Sequence, residues 1–130
     1  AMEGALKMKE VCYIHAEAYP AGEMKHGVNA LIGKKMPSLV MAPTGISFNK
    51  MLSTVNEIKA RDGKVIGLTD NDNNEFISLL SNYLIIDSFN FNLDIILYSI
   101  NLQLLSFYTS LLLKINPDRP RNLAKTVTVE

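Results

Sequence analysis

Residues 3–27, EGALKMKEVCYIHAEAYPAGEMKHG, gather acids, lysines and both histidines of the chain into one predominantly helical segment. On an α-helix, Glu3, Lys7, Glu10, Ile14 and Glu17 sit at i, i+4, i+7, i+11 and i+14 and fall within an arc of about 80°. One face then carries three carboxylates and one ammonium. Such a stripe has two readings. It is a solvated face, with Glu3 and Lys7 as an i,i+4 pair and Glu10 reaching back to Lys7. Or it is the wall of a site, where an ammonium keeps a carboxylate ionised so that it can take a proton from carbon. The rest of the circumference, Met2, Gly4, Ala5, Leu6, Met8, Val11, Cys12, Tyr13 and Ala16, is interrupted only by Lys9 and His15. That is more apolar than a surface helix needs, so most of the helix is expected to be buried.

The elements that must position this segment follow from periodicity. Tyr19-Pro20-Ala21-Gly22 breaks the chain, and residues 23–32 read as a second helical piece with His26-Gly27 inside it or at a turn. The apolar run Ser38–Ala42, stopped by Pro43-Thr44-Gly45, is expected of a buried parallel strand. Phe48, Met51, Leu52, Val55 and Ile58 recur at helical spacing up to Arg61, and Asp62-Gly63 predicts a glycine C-cap. Residues 64–69 form a second strand. The loop Asp70-Asn71-Asp72-Asn73-Asn74 lacks the calcium pattern, because Glu75 stands at the sixth position and Ser81 at the twelfth; it is read as a turn. A short helix over 75–81, a strand over 83–86 and a long helix over 93–114 complete an α/β order. That order implies a parallel sheet covered by helices on both faces, Rossmann-like and three-layered.

The long helix is apolar nearly all round through Ile95, Ile96, Ile100, Leu104, Leu105, Leu111, Leu112 and Leu113, which predicts burial in the core or at a subunit interface. No window there reaches about 18 uninterrupted apolar residues, so no membrane span is expected. Residues 126–130 alternate polar and apolar like an extended segment with one buried side.

Composition narrows the partners. The chain has 130 residues, 48% of them hydrophobic, with 13 Lys plus Arg against 13 Asp plus Glu. It is long enough for one domain, and no net charge draws it to nucleic acid or an anionic membrane surface. Cys12 is the only cysteine, so neither an intramolecular disulfide nor a cysteine metal framework can form. It reads as a packed, inert thiol. No signal peptide is visible, and the expectation is a soluble, cytoplasmic protein.

Residues 3–27 resemble the start of the second sugar-isomerase (SIS) domain in the glucosamine-6-phosphate synthase family, the glutamine:fructose-6-phosphate aminotransferases. The C-terminal run DRPRNLAKTVTVE is similar to the tail of that family, and the segments between match it in pattern and length. The resemblance implies a five-stranded parallel sheet, with this segment beginning after the first strand. Residues 1–116 would then form the SIS domain, incomplete at its N-terminal side, and residues 117–130 a tail closing over the sugar site.

The same resemblance implies the chemistry. Making an aldose amine from a ketose phosphate requires ring opening, imine formation with ammonia and a proton transfer between carbon 2 and carbon 1. Glu10 matches the carboxylate that moves that proton and contacts the sugar. His26 matches the ring-opening histidine, which in the family reaches into the neighbouring subunit's site. Lys7 matches a lysine of the same pocket, and Lys125 the tail lysine that closes over the substrate. Ala124 also lies against the sugar; with Val127 and Lys25 it matches positions along the path of ammonia. Glu3 matches an acid of the same helix, whereas His15, Glu17 and Glu23 have no matching role. No cofactor and no metal are implied.

Partners implied are fructose 6-phosphate and glucosamine 6-phosphate, the glutaminase domain and first SIS domain of a parent chain, and a second copy in a homodimer. The family's HGPLALI reads HGVNALI here, so Val28 and Asn29 replace Pro and Leu after His26, which puts the placement of His26 in question. Thr126 stands where Ser is common. The family's phosphate-binding loop and glutaminase cysteine are not in these residues, so the isolated chain is expected to be inactive. Two rivals stay open. One is another SIS sugar-phosphate isomerase or deglycase; the other is a non-catalytic SIS module that binds a sugar phosphate.

Overall fold

The computed structural model describes residues 1–123, without the side chains of Phe91 and Asn92. The order of elements is α1 (Met2–Cys12), β1 (Ser38–Ala42), α2 (Phe48–Lys59), β2 (Val65–Thr69), α3 (Asn74–Leu79), β3 (Asn82–Ile85) and α4 (Phe91–Leu112). Two 3₁₀ helices, Ala21–His26 and Val28–Leu31, lie between α1 and β1. The strands pair in parallel in the order β1-β2-β3, with Ser38 opposite Val65 and Ile66 opposite Asn82. The parallel α/β class expected from the sequence is the one observed. The chain divides into two compact units, one of residues 1–18 and 99–130, the other of residues 19–98.

The 19–98 unit is built on the apolar strands. Val40, Ala42, Val55, Ile58, Val65 and Phe76 form its core, with Phe48 and Phe76 meeting edge to face at 5.0 Å. β2 is buried at four of five positions, which explains its unbroken VIGLT, whereas the edge strand β3 is exposed throughout. Beyond the strand ends, Asp70 accepts from the Thr44 N–H at 2.6 Å and the Thr44 hydroxyl at 2.9 Å, tying the loops after β1 and β2 together. The Asp70–Asn74 stretch is the turn expected of it. Asn73 caps α3 by accepting from the N–H groups of Glu75 and Phe76.

α2 ends differently from the expectation. The left-handed residue is Asp62 (φ 58), and Gly63 follows it, its N–H donating to the Ile58 carbonyl at 3.0 Å while Asp62 N–H donates to Lys59. This is a Schellman closure with an aspartate at the strained position. Gly63 is needed for space instead: a Cβ there would meet Ile58 Cγ2 at 2.5 Å, Ile32 Cγ2 at 2.7 Å and the Ile58 carbonyl at 2.9 Å.

The other unit packs α1 against the second part of α4. A Cβ on Gly4 would lie 3.0 Å from Leu102 Cδ2, and the Cys12 thiol donates to the Ser106 carbonyl at 3.0 Å. Burial holds the Cys12 thiol above its ordinary pKa, consistent with a packed thiol. Two expectations fail here. α1 stops at Cys12 because Tyr13 turns left-handed (φ 57), so Ile14 and Glu17 leave the helical stripe. Nor is α1 mostly buried: only Gly4 and Cys12 are, with Met2 and Leu6 exposed.

Within the single chain, the core takes only one stripe of α4. Tyr98, Leu102, Ser106 and Ser110, spaced four apart, are covered, while Ile95, Ile96, Ile100, Leu104, Leu105, Leu111, Leu112 and Leu113 are exposed. The chain supplies packing partners for one stripe of the helix only. By length and composition, residues 93–112 are also apolar enough to cross a membrane, because Asp94, Asn101 and Gln103 interrupt the run without lowering its average far enough. Core helices of soluble proteins meet the same criterion.

Replacing Gly63 by Ala is expected to lower stability by about 1–3 kcal/mol through overpacking against Ile58 and Ile32. Urea denaturation would show it as a lower midpoint at unchanged slope. The exposed Arg61→Ala change should stay within about 0.5 kcal/mol of the parent.

Candidate functional site

α1 carries its charges at spacings that bring Lys7 and Glu10 onto one face. Lys7 Nζ donates to Glu10 Oε2 at 2.6 Å, and both side chains are about 30% exposed (32% and 27%). The bond from Lys7 to Glu10 raises the ammonium's pKa above its ordinary 10.5, more than partial burial lowers it. An ammonium that keeps its proton holds the carboxylate beside it in a fixed place. Glu3 is occupied elsewhere, its Oε1 accepting from Gln103 Nε2 of α4 at 3.0 Å. The i,i+4 pairing with Lys7 is thus replaced by the closer i,i+3 contact.

Glu10 also lines an open cleft of about 350 Å³ within the same unit, together with Lys9, Tyr13, Ile14, His15, Arg121, Asn122 and Leu123. Its far wall comes from the chain after α4. The Arg121 N–H donates to the Tyr13 hydroxyl at 2.7 Å, and the Arg121 guanidinium lies 4.0 Å from the centre of the Tyr13 ring. His15 is largely exposed, its Nε2 3.8 Å from Glu17 Oε1. A carboxylate with one oxygen fixed by an ammonium, at the edge of a cleft with cations nearby, can exchange a proton with a small polar anion.

His26 and Lys25 belong to the 19–98 unit. His26 closes the first 3₁₀ helix in an exposed position, and Gly27 follows with φ 131, a conformation suited to glycine. The second 3₁₀ helix starts at once despite Val28 and Asn29, with Ala30 N–H donating to the Gly27 carbonyl at 3.0 Å. Glu57 of α2 faces this turn from both sides, 3.7 Å from Lys25 Nζ and 3.5 Å from Asn29 Nδ2. The remaining expected site residues, Ala124, Lys125 and Val127, lie outside the described residues. Among the described residues, no group of three His, Cys, Asp or Glu side chains could hold a metal ion. Tyr13 and Arg121 were not marked by motif spacing; the arginine-bearing DRPRN before the tail was the available signal.

Residues 1–113 match the SIS domain family. The chain belongs to the SIS domain family. Among curated relatives of this SIS chain, the glutamine–fructose-6-phosphate aminotransferase (isomerizing) of Pseudomonas syringae pv. tomato is 48% identical over 134 residues, matching all of this chain and 21% of its own length. The enzyme of the same name from Thermus thermophilus is 47% identical over 130 residues, again across the whole chain and 22% of its own. A solved structure, the C-terminal domain of glucosamine-fructose-6-phosphate aminotransferase from Francisella tularensis, superposes with a TM-score of 0.83 at 38% identity, over 91% of this chain and 33% of that one. The SIS chain spans about a fifth of the length of the curated relatives it matches. The resemblance read from residues 3–27 and from DRPRNLAKTVTVE therefore holds across the SIS domain.

Because the folded Lys7 pKa is raised, the pair's contribution is fully present below the unfolded value near 10.5 and is lost as pH rises through the folded value. The stability advantage of the parent over Lys7→Met should stay level between about pH 8 and pH 10 and shrink above that. Denaturation midpoints taken across this range test it.

Proposed function

We propose that this SIS chain is part of the isomerase region of an enzyme that makes glucosamine 6-phosphate from fructose 6-phosphate and glutamine. The observation that carries the reading is the 2.6 Å Lys7–Glu10 pair at the edge of the cleft. It occurs in a chain whose relatives are named for that reaction. After ammonia condenses with the ketone at carbon 2, releasing water, Glu10 takes a proton from carbon 1 and returns it to carbon 2. The product has an aldehyde at carbon 1 and an amine at carbon 2. Lys7 holds Glu10 in place for this step. His26 opens the sugar ring, from the neighbouring subunit of a homodimer, and Lys125 closes over the sugar with Ala124. Val127 and Lys25 border the path of ammonia.

Residues 1–116 act as the SIS domain and 117–130 as its tail. The phosphate-binding loop and the source of ammonia belong to a first SIS domain and a glutaminase domain of a longer chain. The exposed apolar face of α4 fits cover by protein in a cytoplasmic enzyme: its stripe already packs on α1, and Gln103 is bonded to Glu3. A sugar-phosphate isomerase or deglycase, or a non-catalytic sensor, would share the fold, yet no contact among the described residues favours any of them.

In the full-length protein, Glu10→Gln is expected to lower glucosamine 6-phosphate formation by about 10²–10⁴-fold while fructose 6-phosphate binding is retained. Product formation at the parent rate would refute the assignment. The 130-residue chain alone should make no product from fructose 6-phosphate and glutamine, and robust turnover by it would overturn the view that a longer chain is required.

A further inference from the structure

The two 3₁₀ helices of the 19–98 unit meet at a single residue. Gly27 ends Ala21–His26 and begins Val28–Leu31, at φ 131 and ψ −43, and nothing approaches the place its Cβ would take. A glycine there permits the change of direction but does not hold it, because glycine adopts either sign of φ with similar ease. The restraint comes from α2 and the core beneath it. Met24 before the hinge and Ile32 after it pack against that core. Between them, the two oxygens of Glu57 reach opposite sides of the hinge: Oε1 lies 3.7 Å from Lys25 Nζ, and Oε2 accepts from Asn29 Nδ2 at 3.5 Å. Lys25 and Asn29 flank His26, Gly27 and Val28. The Asn29 amide is turned for this contact. Its Oδ1 is buried and without a hydrogen-bond partner among the described residues, and the opposite orientation would set that oxygen against the carboxylate.

We propose that Glu57 is a positioning residue that fixes the direction of His26 by bracing the Gly27 hinge from both sides. The proposal rests on the reading that His26 opens the sugar ring. Asn29 supplies the second brace in a turn whose residue 28 is a valine, where a proline would have set φ by its own ring. Glu57 touches no reacting atom; its effect passes through the backbone of residues 25–29.

The test measures kcat for glucosamine 6-phosphate formation by the full-length protein in Glu57→Ala, Glu57→Gln, Asn29→Leu and His26→Asn, and in the double variant Glu57→Ala/His26→Asn. Glu57→Ala should lower kcat about three- to tenfold, the effect of one lost hydrogen bond. Glu57→Gln, which keeps an acceptor for Asn29, should recover part of that loss. Asn29→Leu, which leaves α2 intact, should lose what Glu57→Gln keeps. In the His26→Asn background, Glu57→Ala should lower the residual kcat no further, since there is no imidazole left to direct, whereas a general loss of packing would lower it by the same factor in both backgrounds. With His26→Asn impaired, a parent kcat in both Glu57→Ala and Asn29→Leu, or equal losses in the two backgrounds, would overturn the brace and leave the functional reading intact. Undiminished product formation in His26→Asn would overturn the ring-opening role and the brace with it.

Discussion

The close approach of α1 to α4 is the constraint on which the candidate site depends. Gly4 lets Leu102 come within what would be 3.0 Å of a Cβ, and the Cys12 thiol spends its proton on the Ser106 carbonyl. Small residues at both ends of α1 thus set its separation from α4 and its rotation about its own axis. Ser106 and Ser110 can be buried in the stripe because their hydroxyls bond to the Leu102 and Phe107 carbonyls. With that face committed, Lys7 and Glu10 must point elsewhere, and Glu10 comes to the cleft. A larger residue at position 4 would alter the aim of the carboxylate without touching it.

Charge on this helix is divided between two tasks. Glu3, one turn before Lys7, is used to hold α4 through Gln103, while Glu10, one turn after, keeps the ammonium. What looked like one stripe is a structural acid and a pair suited to chemistry. The basic side chains at the cleft are likewise unequal. Arg121 is held by Tyr13, whereas His15 is mostly exposed beside Glu17. Packing, more than residue type, separates the groups with a fixed place from those without one.

Much of the fold was legible because local pattern and tertiary demand agree. The unbroken apolar runs at Ser38–Ala42 and Val65–Thr69 are strands in the observed sheet, and the spacing of Phe48, Met51, Val55 and Ile58 marks the buried face of α2. The Lys7–Glu10 pair was legible for the same reason, since three residues on a helix are neighbours wherever the helix sits. The misreadings come from contacts that no local pattern records. Tyr13 ends α1 with neither glycine nor proline, held by Arg121 far along the chain. Residues 23–32 are tighter than the helix expected, because Gly27 divides them into two 3₁₀ pieces. Periodicity finds which side chains of α4 are apolar, but whether they are covered depends on what else is present.

The two units also differ in when they can form. The 19–98 unit is continuous, and its strands pair with their sequence neighbours. The other unit joins segments distant in sequence, through partners 94 and 100 residues apart. Synthesis runs from the N-terminal side, so the helix bearing Glu10 emerges before the sheet and long before α4. At 11 residues it is shorter than the roughly 12–15 at which an isolated helix begins to persist in water. Of the groups that build the cleft, the carboxylate is made before its α4 partners and acquires a fixed direction only with them, so that folding and assembly of the site end in a single late event of high contact order.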